Sequence, residues 1–229
     1  MKTLKQQSKK TQLLVMFLLI CGVFCVALWL FSALGERGLS PINSAAGVDS
    51  QWKTEDAFVE PEIPERVLEN DILLPVGMLL TTKARAAYED GTMRLVIPRL
   101  NLDCTVGADT LEENLEHGPG LYKYSQMPDI YNTNVSIAAH RDLAGCEFYY
   151  LDTVQEGDFI YLIYKGNVFQ YAYRSTKIVE ETDWEPIRTC LDCRVTLTTC
   201  DPIGTSLRRM IVIGELIDWR DYSEDYEFL

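Results

Sequence analysis

Two runs of strand-forming residues joined by a short turn limit most strongly what this chain can fold into. Residues 159–164 (FIYLIY) and 168–173 (VFQYAY) are almost entirely apolar, β-branched or aromatic, and Lys165, Gly166 and Asn167 separate them. Such side chains favour a pleated strand, and a short glycine-containing connection is typical of a hairpin. The sequence therefore predicts an antiparallel β-hairpin over residues 159–173.

Further strand patterns fill residues 91–218. The apolar and β-branched segments lie at residues 95–102, 135–139, 195–199 and 210–216. Short strands separated by turn residues are typical of a barrel, so we expect a mostly β fold: a closed, antiparallel β-barrel with a few short helices. Two of these helices are expected near residues 81–88 and 110–116.

The N-terminus has the pattern of a membrane anchor. Residues 11–34 are almost wholly apolar and uncharged, and that length is enough for a transmembrane helix. Residues 1–10 contain four lysines and no acidic residue, so we expect them to be cytoplasmic and the rest of the chain extracellular. A cleaved signal peptide is the alternative, although the apolar run is longer than a usual signal-peptide core. The prediction is a single-pass protein of the cell membrane.

Composition divides the remaining chain. Residues 35 to about 70 are rich in Gly, Pro, Ser and acidic residues, and a short helical pattern follows, so residues 35–90 are predicted to be an extracellular linker or stalk with one short helix. Residues 219–229 form an acidic, aromatic tail that we expect to be loosely attached. All 34 acidic residues follow the predicted anchor, together with 17 of the 21 Lys and Arg. This acidic balance argues against nucleic acid as a partner, because phosphates would be repelled.

A cysteine, a histidine and an arginine stand at the ends of predicted strands. Cys200 ends one strand, and the turn that follows is expected to leave its thiol at an open mouth of the fold. His140 ends another strand, whereas His117, the second of two histidines, lies beside a Gly-Pro-Gly turn. Neighbouring residues of a strand face opposite sides, so only one of Arg208 and Arg209 can face the thiol. These three residue types suffice for acyl transfer: thiolate attack, proton movement by imidazole and stabilisation of an oxyanion.

The ordered motifs resemble those of the sortase family, the cysteine transpeptidases of Gram-positive bacterial surfaces. TLTTC at residues 196–200 is similar to the family's TLxTC strand, and NVSIAAHR at 134–141 is similar to the segment with the catalytic histidine. Arg209 precedes an apolar strand, as the family's catalytic arginine does. Further similar segments are LVIPRLNL at 95–102, HGPG at 117–120, FYYLD at 148–152 and GD at 157–158. The resemblance covers residues 91–218, the predicted catalytic domain.

The resemblance implies a site and a reaction. Cys200 is expected to be the nucleophile, His140 the acid–base partner and Arg209 the residue that binds the oxyanion, with Thr199 and Arg141 at substrate-binding positions. The implied reaction cleaves an LPxTG-like sorting signal through a cysteine thioester. An amine of the cell wall then receives the cleaved protein. The implied partners are secreted proteins with a C-terminal sorting signal and the amine of a peptidoglycan precursor or a pilin.

Two other functions stay open. Cys200-Asp201-Pro202 is similar to the Cys-x-Pro sequence of several sortase classes, including those that polymerise pilins, but residues 49–58 do not match the lid of such enzymes. No second apolar run long enough for a C-terminal span follows the first. The second alternative function is that of a non-catalytic, membrane-tethered surface assembly module that has kept only the barrel.

No cofactor or metal is expected. A zinc site built from Cys190, Cys193, Cys200 and His140 would have one CxxC half and no second half of the usual spacing. Calcium is used by some sortases, but no ligand-spaced motif such as an EF-hand loop is present in the sequence. Cys190 and Cys193 could be a redox pair, a disulfide or a structurally incidental pair, and the sequence does not distinguish these.

Overall fold

A computed structural model describes residues 67–68, 74–142 and 147–229. The predicted anchor at residues 11–34, most of the predicted linker and Cys146 lie outside the described residues. Within those ranges, no helix has the length and apolar character needed to cross a membrane.

The described residues form short elements joined by turns. The strands are β1 (Val67–Leu68), β2 (Thr81–Thr82), β3 (Met93–Ile97), β4 (Leu102–Val106), β5 (Gly120–Leu121), β6 (Asn134–Ala138), β7 (Phe159–Tyr164), β8 (Asn167–Glu180), β9 (Arg194–Asp201) and β10 (Arg208–Asp221). The α-helices are α1 (Lys83–Ala86) and α2 (Glu112–Leu115), and single 3-10 turns occur at Pro98–Leu100, Leu151–Thr153 and Glu185–Ile187. The mostly β prediction and the two predicted short helices are confirmed.

Eight strands form one curved sheet in the order β4-β3-β7-β8-β10-β9-β6-β5. A single bridge between Gly107, just after β4, and Gly120 in β5 brings the two edges together, so the barrel is nearly closed. The neighbouring strands of this sheet are antiparallel, apart from β6 and β9, which run parallel. A parallel pair needs a long crossover connection, and the β7–β8 hairpin lies within it.

The predicted hairpin is confirmed as β7–β8, with Tyr164 opposite Asn167. Its turn is shorter than the sequence suggested, because Asn167 already belongs to β8. Lys165 and Gly166 both have positive φ angles, 48° and 76°, as a tight two-residue hairpin turn requires. β8 continues to Glu180 because it pairs with β10 along its whole length.

The segment 95–102 was expected to be a single strand, and this is wrong. Pro98 has no N–H for the ladder and begins a 3-10 turn, and Asn101 takes a left-handed conformation with φ 50°. The chain therefore reverses, and β3 and β4 pair as an antiparallel hairpin with Ile97 opposite Leu102.

Alternation along the strands divides their side chains between the barrel interior and its outer face. The main core receives odd-numbered residues from β6 and β9 and even-numbered residues from β10. All of them are buried: Val135, Ile137, Val195, Leu197, Met210 and Val212. The intervening residues face outward. Cys200 continues this outward-facing series of β9.

The tail after β10 packs on the barrel, so the expectation of loose attachment is wrong. Tyr226 and Phe228 contact the ring of Tyr161 with centroid separations of 6.0 and 5.1 Å. The backbone N–H of Leu229 donates to the Tyr161 hydroxyl at 3.1 Å. The outer face of β7 carries an apolar patch that includes Tyr161, and burying this patch favours the packed tail.

Candidate active site

Neighbouring strands bring His140 and Cys200 to the same level of the sheet. β6 and β9 pair with a constant offset of 60 residues, from Asn134 opposite Arg194 to Ala138 opposite Thr198. His140 and Cys200 each lie two residues further on. Two hydrogen bonds keep the strands side by side past the ladder: Ala139 N donates to Thr198 O at 3.2 Å and Thr199 Oγ1 donates to Ala139 O at 2.8 Å.

The strand on the other side of β9 contributes the arginine. In the antiparallel β9–β10 register, Arg209 stands opposite Cys200 and Arg208 stands opposite Asp201. Residues directly opposite each other share a face of the sheet, so Arg209 is the arginine on the face of the thiol. The register thus places Cys200, His140 and Arg209 in one row. His117 is exposed in the turn that follows α2.

The Cys200 thiol is covered, and the expectation of an open mouth is wrong. β9 does end one residue later, at Asp201, but Cys200 is only 6% exposed. It belongs to a small apolar cluster with Leu115 of α2, Tyr122 and Ile187 of the last 3-10 turn. The cover comes from segments distant in sequence, and for this reason the local pattern around Cys200 could not reveal it.

Burial raises the pKa of the Cys200 thiol above that of an ordinary cysteine. The guanidinium of Arg209 is the largest opposing influence on this pKa, and Arg141 acts in the same direction. The carboxylates of Asp142 and Glu112 raise the pKa further. The protonated thiol therefore predominates at neutral pH, and a proton acceptor is needed to generate the thiolate.

His140 and Arg209 are both buried and oriented by identifiable groups. The imidazole Nε2 of His140 lies 3.5 Å from a carboxylate oxygen of Glu112 in α2. Arg209 Nη1 donates to the carbonyl oxygens of Ser206 at 2.6 Å and Arg208 at 3.0 Å. Glu112 was missed at the sequence level, because one acidic residue in an acidic segment carries no distinguishing pattern.

Thr199 and Arg141, expected at substrate-binding positions, have side chains that contact protein groups. Thr199 is completely buried and its hydroxyl is bonded to Ala139. The buried Arg141 guanidinium donates to the carboxylate of Asp201 at 3.0 Å and to the Cys200 carbonyl oxygen at 3.4 Å. Its other terminal nitrogen lies 3.2 Å from Asp152. In this structure both side chains contact protein groups, and their assignment to substrate binding stays a prediction.

Cys190 and Cys193 are both free thiols. Arg194 Nε lies 3.0 Å from the Cys190 sulfur, and the Cys193 thiol contacts the carbonyl oxygen of Tyr131. Burial raises the pKa of Cys190 to about 12. Among the residues that the structure describes, no group of three or more His, Cys, Asp or Glu side chains is arranged to hold a metal ion.

The barrel with its Cys–His–Arg row is the architecture of a cysteine acyltransferase, and comparison with known proteins identifies the family. Residues 95–217 match the family model of the sortase domain. The chain is 31% identical to sortase D of Bacillus subtilis strain 168 over 181 residues, which is 74% of this chain and 87% of that protein. It is 27% identical to sortase A of Listeria monocytogenes serovar 1/2a over 212 residues, 91% of each chain.

Comparison with a solved structure supports the same family. The chain is similar to sortase C1 of Streptococcus agalactiae in complex with MTSET, with a TM-score of 0.55 and 29% identity over 61% of this chain and 72% of that chain. This protein belongs to the sortase family of cysteine transpeptidases, and the resemblance seen in the sequence is confirmed.

Proposed function

We propose that this protein is a membrane-anchored sortase. It cleaves an LPxTG-like sorting signal through a thioester on Cys200 and transfers the new C-terminus to an amine of the cell wall. The observation that carries the proposal is the register that aligns His140, Cys200 and Arg209 on three adjacent strands.

Acylation requires the buried thiol to lose its proton. As the sulfur of Cys200 attacks the scissile carbonyl carbon, the imidazole of His140 accepts the thiol proton. The guanidinium of Arg209 stabilises the negative charge on the carbonyl oxygen. The protonated imidazole then donates its proton to the leaving amine, the C–N bond breaks and the thioester remains.

Deacylation uses the same groups in reverse. An acceptor amine attacks the thioester carbonyl and gives a proton to His140, and the sulfur leaves as the new amide forms. The proton then returns to Cys200. Two carbonyl oxygens hold Arg209 Nη1, which supports a guanidinium oriented before substrate arrives.

The cover over Cys200 implies a movement on binding. A sorting signal is an extended peptide, and it can reach a thiol that is 6% exposed only after α2 or the turn at Glu185–Ile187 shifts. The segment from Pro202 to Leu207 connects β9 to β10 and lies beside the active site.

The sequence supports the membrane part of the proposal. Residues 1–10 are cytoplasmic, residues 11–34 form the transmembrane anchor, residues 35–90 are the linker, residues 91–218 are the extracellular catalytic domain and residues 219–229 follow as the tail. An enzyme anchored at the outer surface of the membrane meets secreted proteins with C-terminal sorting signals as well as amines of peptidoglycan precursors.

Intact-mass spectrometry of the full chain in detergent, incubated with an LPxTG-type peptide, tests the reaction. We expect an acyl adduct that an added amine discharges, that is lost in Cys200→Ala and that persists in the matched control Cys104→Ala. An adduct that survives Cys200→Ala would refute the nucleophile. No adduct across a panel of motif variants, with Cys200 still open to alkylation, would refute the substrate class. No adduct together with an unreactive Cys200 would favour the non-catalytic assembly module.

A pilin-polymerising function is the second candidate. It is favoured by Cys200-Asp201-Pro202 and by the similarity to the sortase C1 of GBS Pilus Island 1, with a TM-score of 0.56 and 29% identity. The two functions differ in the acceptor, so the preformed thioester can be challenged with a pilin lysine peptide or with a peptidoglycan stem peptide. Faster discharge by the stem peptide supports wall anchoring, and faster discharge by the lysine peptide supports polymerisation.

A further inference from the structure

We propose that Arg141, Asp201 and Arg208 form a positioning network that holds the three segments of the active site in register. Each of the three follows or precedes a proposed catalytic residue directly in sequence: Arg141 follows His140, Asp201 follows Cys200 and Arg208 precedes Arg209. The inference rests on the proposed function.

One carboxylate connects all three segments. Asp201 Oδ1 accepts from Arg141 Nη1 at 3.0 Å, and Asp201 Oδ2 accepts from Arg208 Nη2 at 3.0 Å. The same Arg141 nitrogen lies 3.4 Å from the carbonyl oxygen of Cys200. The network therefore joins the end of β6 to β9 and β9 to β10 at the level of the thiol.

The network lies on the other face of the sheet from the reacting groups. Successive residues of a strand face opposite sides, and Asp201 and Arg208 are directly opposed in the β9–β10 register. Their side chains can therefore fix three backbone segments without contacting a substrate. These are positioning residues, and the chemistry stays with the row on the opposite face.

Burial makes one half of the network stronger than the other. The side chains of Arg141 and Asp201 are 5% and 14% exposed, whereas Arg208 is 46% exposed. Breaking a buried ion pair is costly, because it leaves a charge without compensation, whereas an exposed pair contributes little. We therefore expect the Arg141–Asp201 contact to dominate and Arg208 to make a smaller contribution.

Arg141 shows a further sign of a functional arrangement. Its Nε is buried and has no hydrogen-bond partner among the residues that the structure describes. Nη1 donates to Asp201, and Nη2 lies beside Asp152. A buried donor without a partner is unfavourable for stability, so a merely structural arginine would be expected to satisfy it. The guanidinium is oriented toward the end of β9 at the cost of that bond.

Asp201→Asn in the full chain tests the proposal with two measurements. The first is the rate of acyl-enzyme formation, which we expect to fall about 30- to 100-fold, since displacement of about 1 Å at a reacting centre costs a factor of this order. The second is the pH dependence of Cys200 alkylation by iodoacetamide, which needs no substrate. Loss of alignment moves Arg209 away from the thiol and shifts the profile to higher pH. Removing the negative charge of Asp201 would by itself shift it to lower pH, so the direction separates the two causes.

Arg208→Met and Glu215→Gln complete the series. Arg208→Met changes an exposed side chain, so it can be measured even if Asp201→Asn fails to fold, and we expect acylation to fall about 3- to 10-fold. Glu215→Gln breaks an exposed ion pair with Arg174, at 3.7 Å on the β8–β10 pair away from the site, and should leave both measurements unchanged.

The outcomes separate the network from the proposed function. Acylation within a factor of two of the parent in both network variants, or an alkylation profile of Asp201→Asn that moves to lower pH, would overturn the network. An upward shift of that profile supports the network even if no protein in the series forms an adduct, and in that case it is the proposed substrate that fails.

Discussion

Replacing Asn134 with leucine would test whether one buried amide holds the turn that covers the thiol. Asn134 is completely buried at the start of β6, and its Nδ2 donates to the carbonyl oxygens of Pro186 at 2.8 Å and Arg188 at 2.9 Å. Its Oδ1 accepts from Thr196 Oγ1 at 2.7 Å. The turn held in this way carries Ile187, which packs against Cys200.

The expected cost follows from these bonds. Leucine has a similar size but leaves two carbonyl oxygens and the Thr196 hydroxyl without their partner, and each such buried group costs about 1–3 kcal/mol. The Ser136 hydroxyl also loses a 3.4 Å contact with Asn134 Oδ1 but keeps one with the Asn134 carbonyl oxygen at 3.5 Å. Thr196 Oγ1 also lies 3.4 Å from Pro186 O and can relieve part of the loss. We therefore expect the free energy of unfolding of Asn134→Leu to fall by about 3–5 kcal/mol. At about 2–4 °C per kcal/mol, the melting temperature should fall by roughly 10 °C.

Urea unfolding of the full chain in detergent, followed by circular dichroism, would measure this cost. The matched control is Thr196→Val, which removes one donor to Asn134 while keeping the shape, and it should cost about 1 kcal/mol. Alkylation of Cys200 should become faster in Asn134→Leu, because the covering turn is released. The reasoning would be refuted if Asn134→Leu lowered the free energy of unfolding by less than about 1 kcal/mol, or if Thr196→Val lowered it by more than Asn134→Leu does.

Two further substitutions and one alkylation experiment probe the site and the fold. Glu112→Gln removes a carboxylate that raises the pKa of Cys200, so alkylation should begin at lower pH, and an unchanged or upward-shifted profile would contradict this. Gly120→Ala would put a Cβ 1.9 Å from the carbonyl oxygen of Asp109, and should lower the free energy of unfolding by about 3 kcal/mol in urea denaturation; full stability would exclude this close approach. Cys190, with a pKa raised to about 12, should be alkylated at pH 8 far more slowly in the native protein than in urea, and equal rates measured by peptide mapping would show that it is not buried.

The local patterns in the sequence were sufficient for most of the long strands and for placing Cys200, His140 and Arg209 at strand ends, but not for the turn at Pro98 that divides residues 95–102 between β3 and β4. Cys200 and the residues around it form a continuous motif, and the β7–β8 hairpin is encoded by neighbouring residues. The cover of the thiol, the contact of Glu112 with the imidazole and the role of Asp201 depend on side chains that meet only through tertiary packing. The tail on Tyr161 was missed for the same reason, since the composition of residues 219–229 describes their charge and not the apolar patch that they cover.

The parallel pairing of β6 with β9 has a consequence for how the enzyme becomes active during folding. Hairpins such as β7–β8 join neighbouring residues and can form early, whereas β6 and β9 join residues 60 positions apart and lose more chain entropy when they meet. His140 and Cys200 are therefore apart in a newly made chain, and the thiol comes next to its proposed proton acceptor only when β6 and β9 have paired. An incompletely folded chain therefore carries Cys200 without the neighbouring histidine on which the proposed reaction depends.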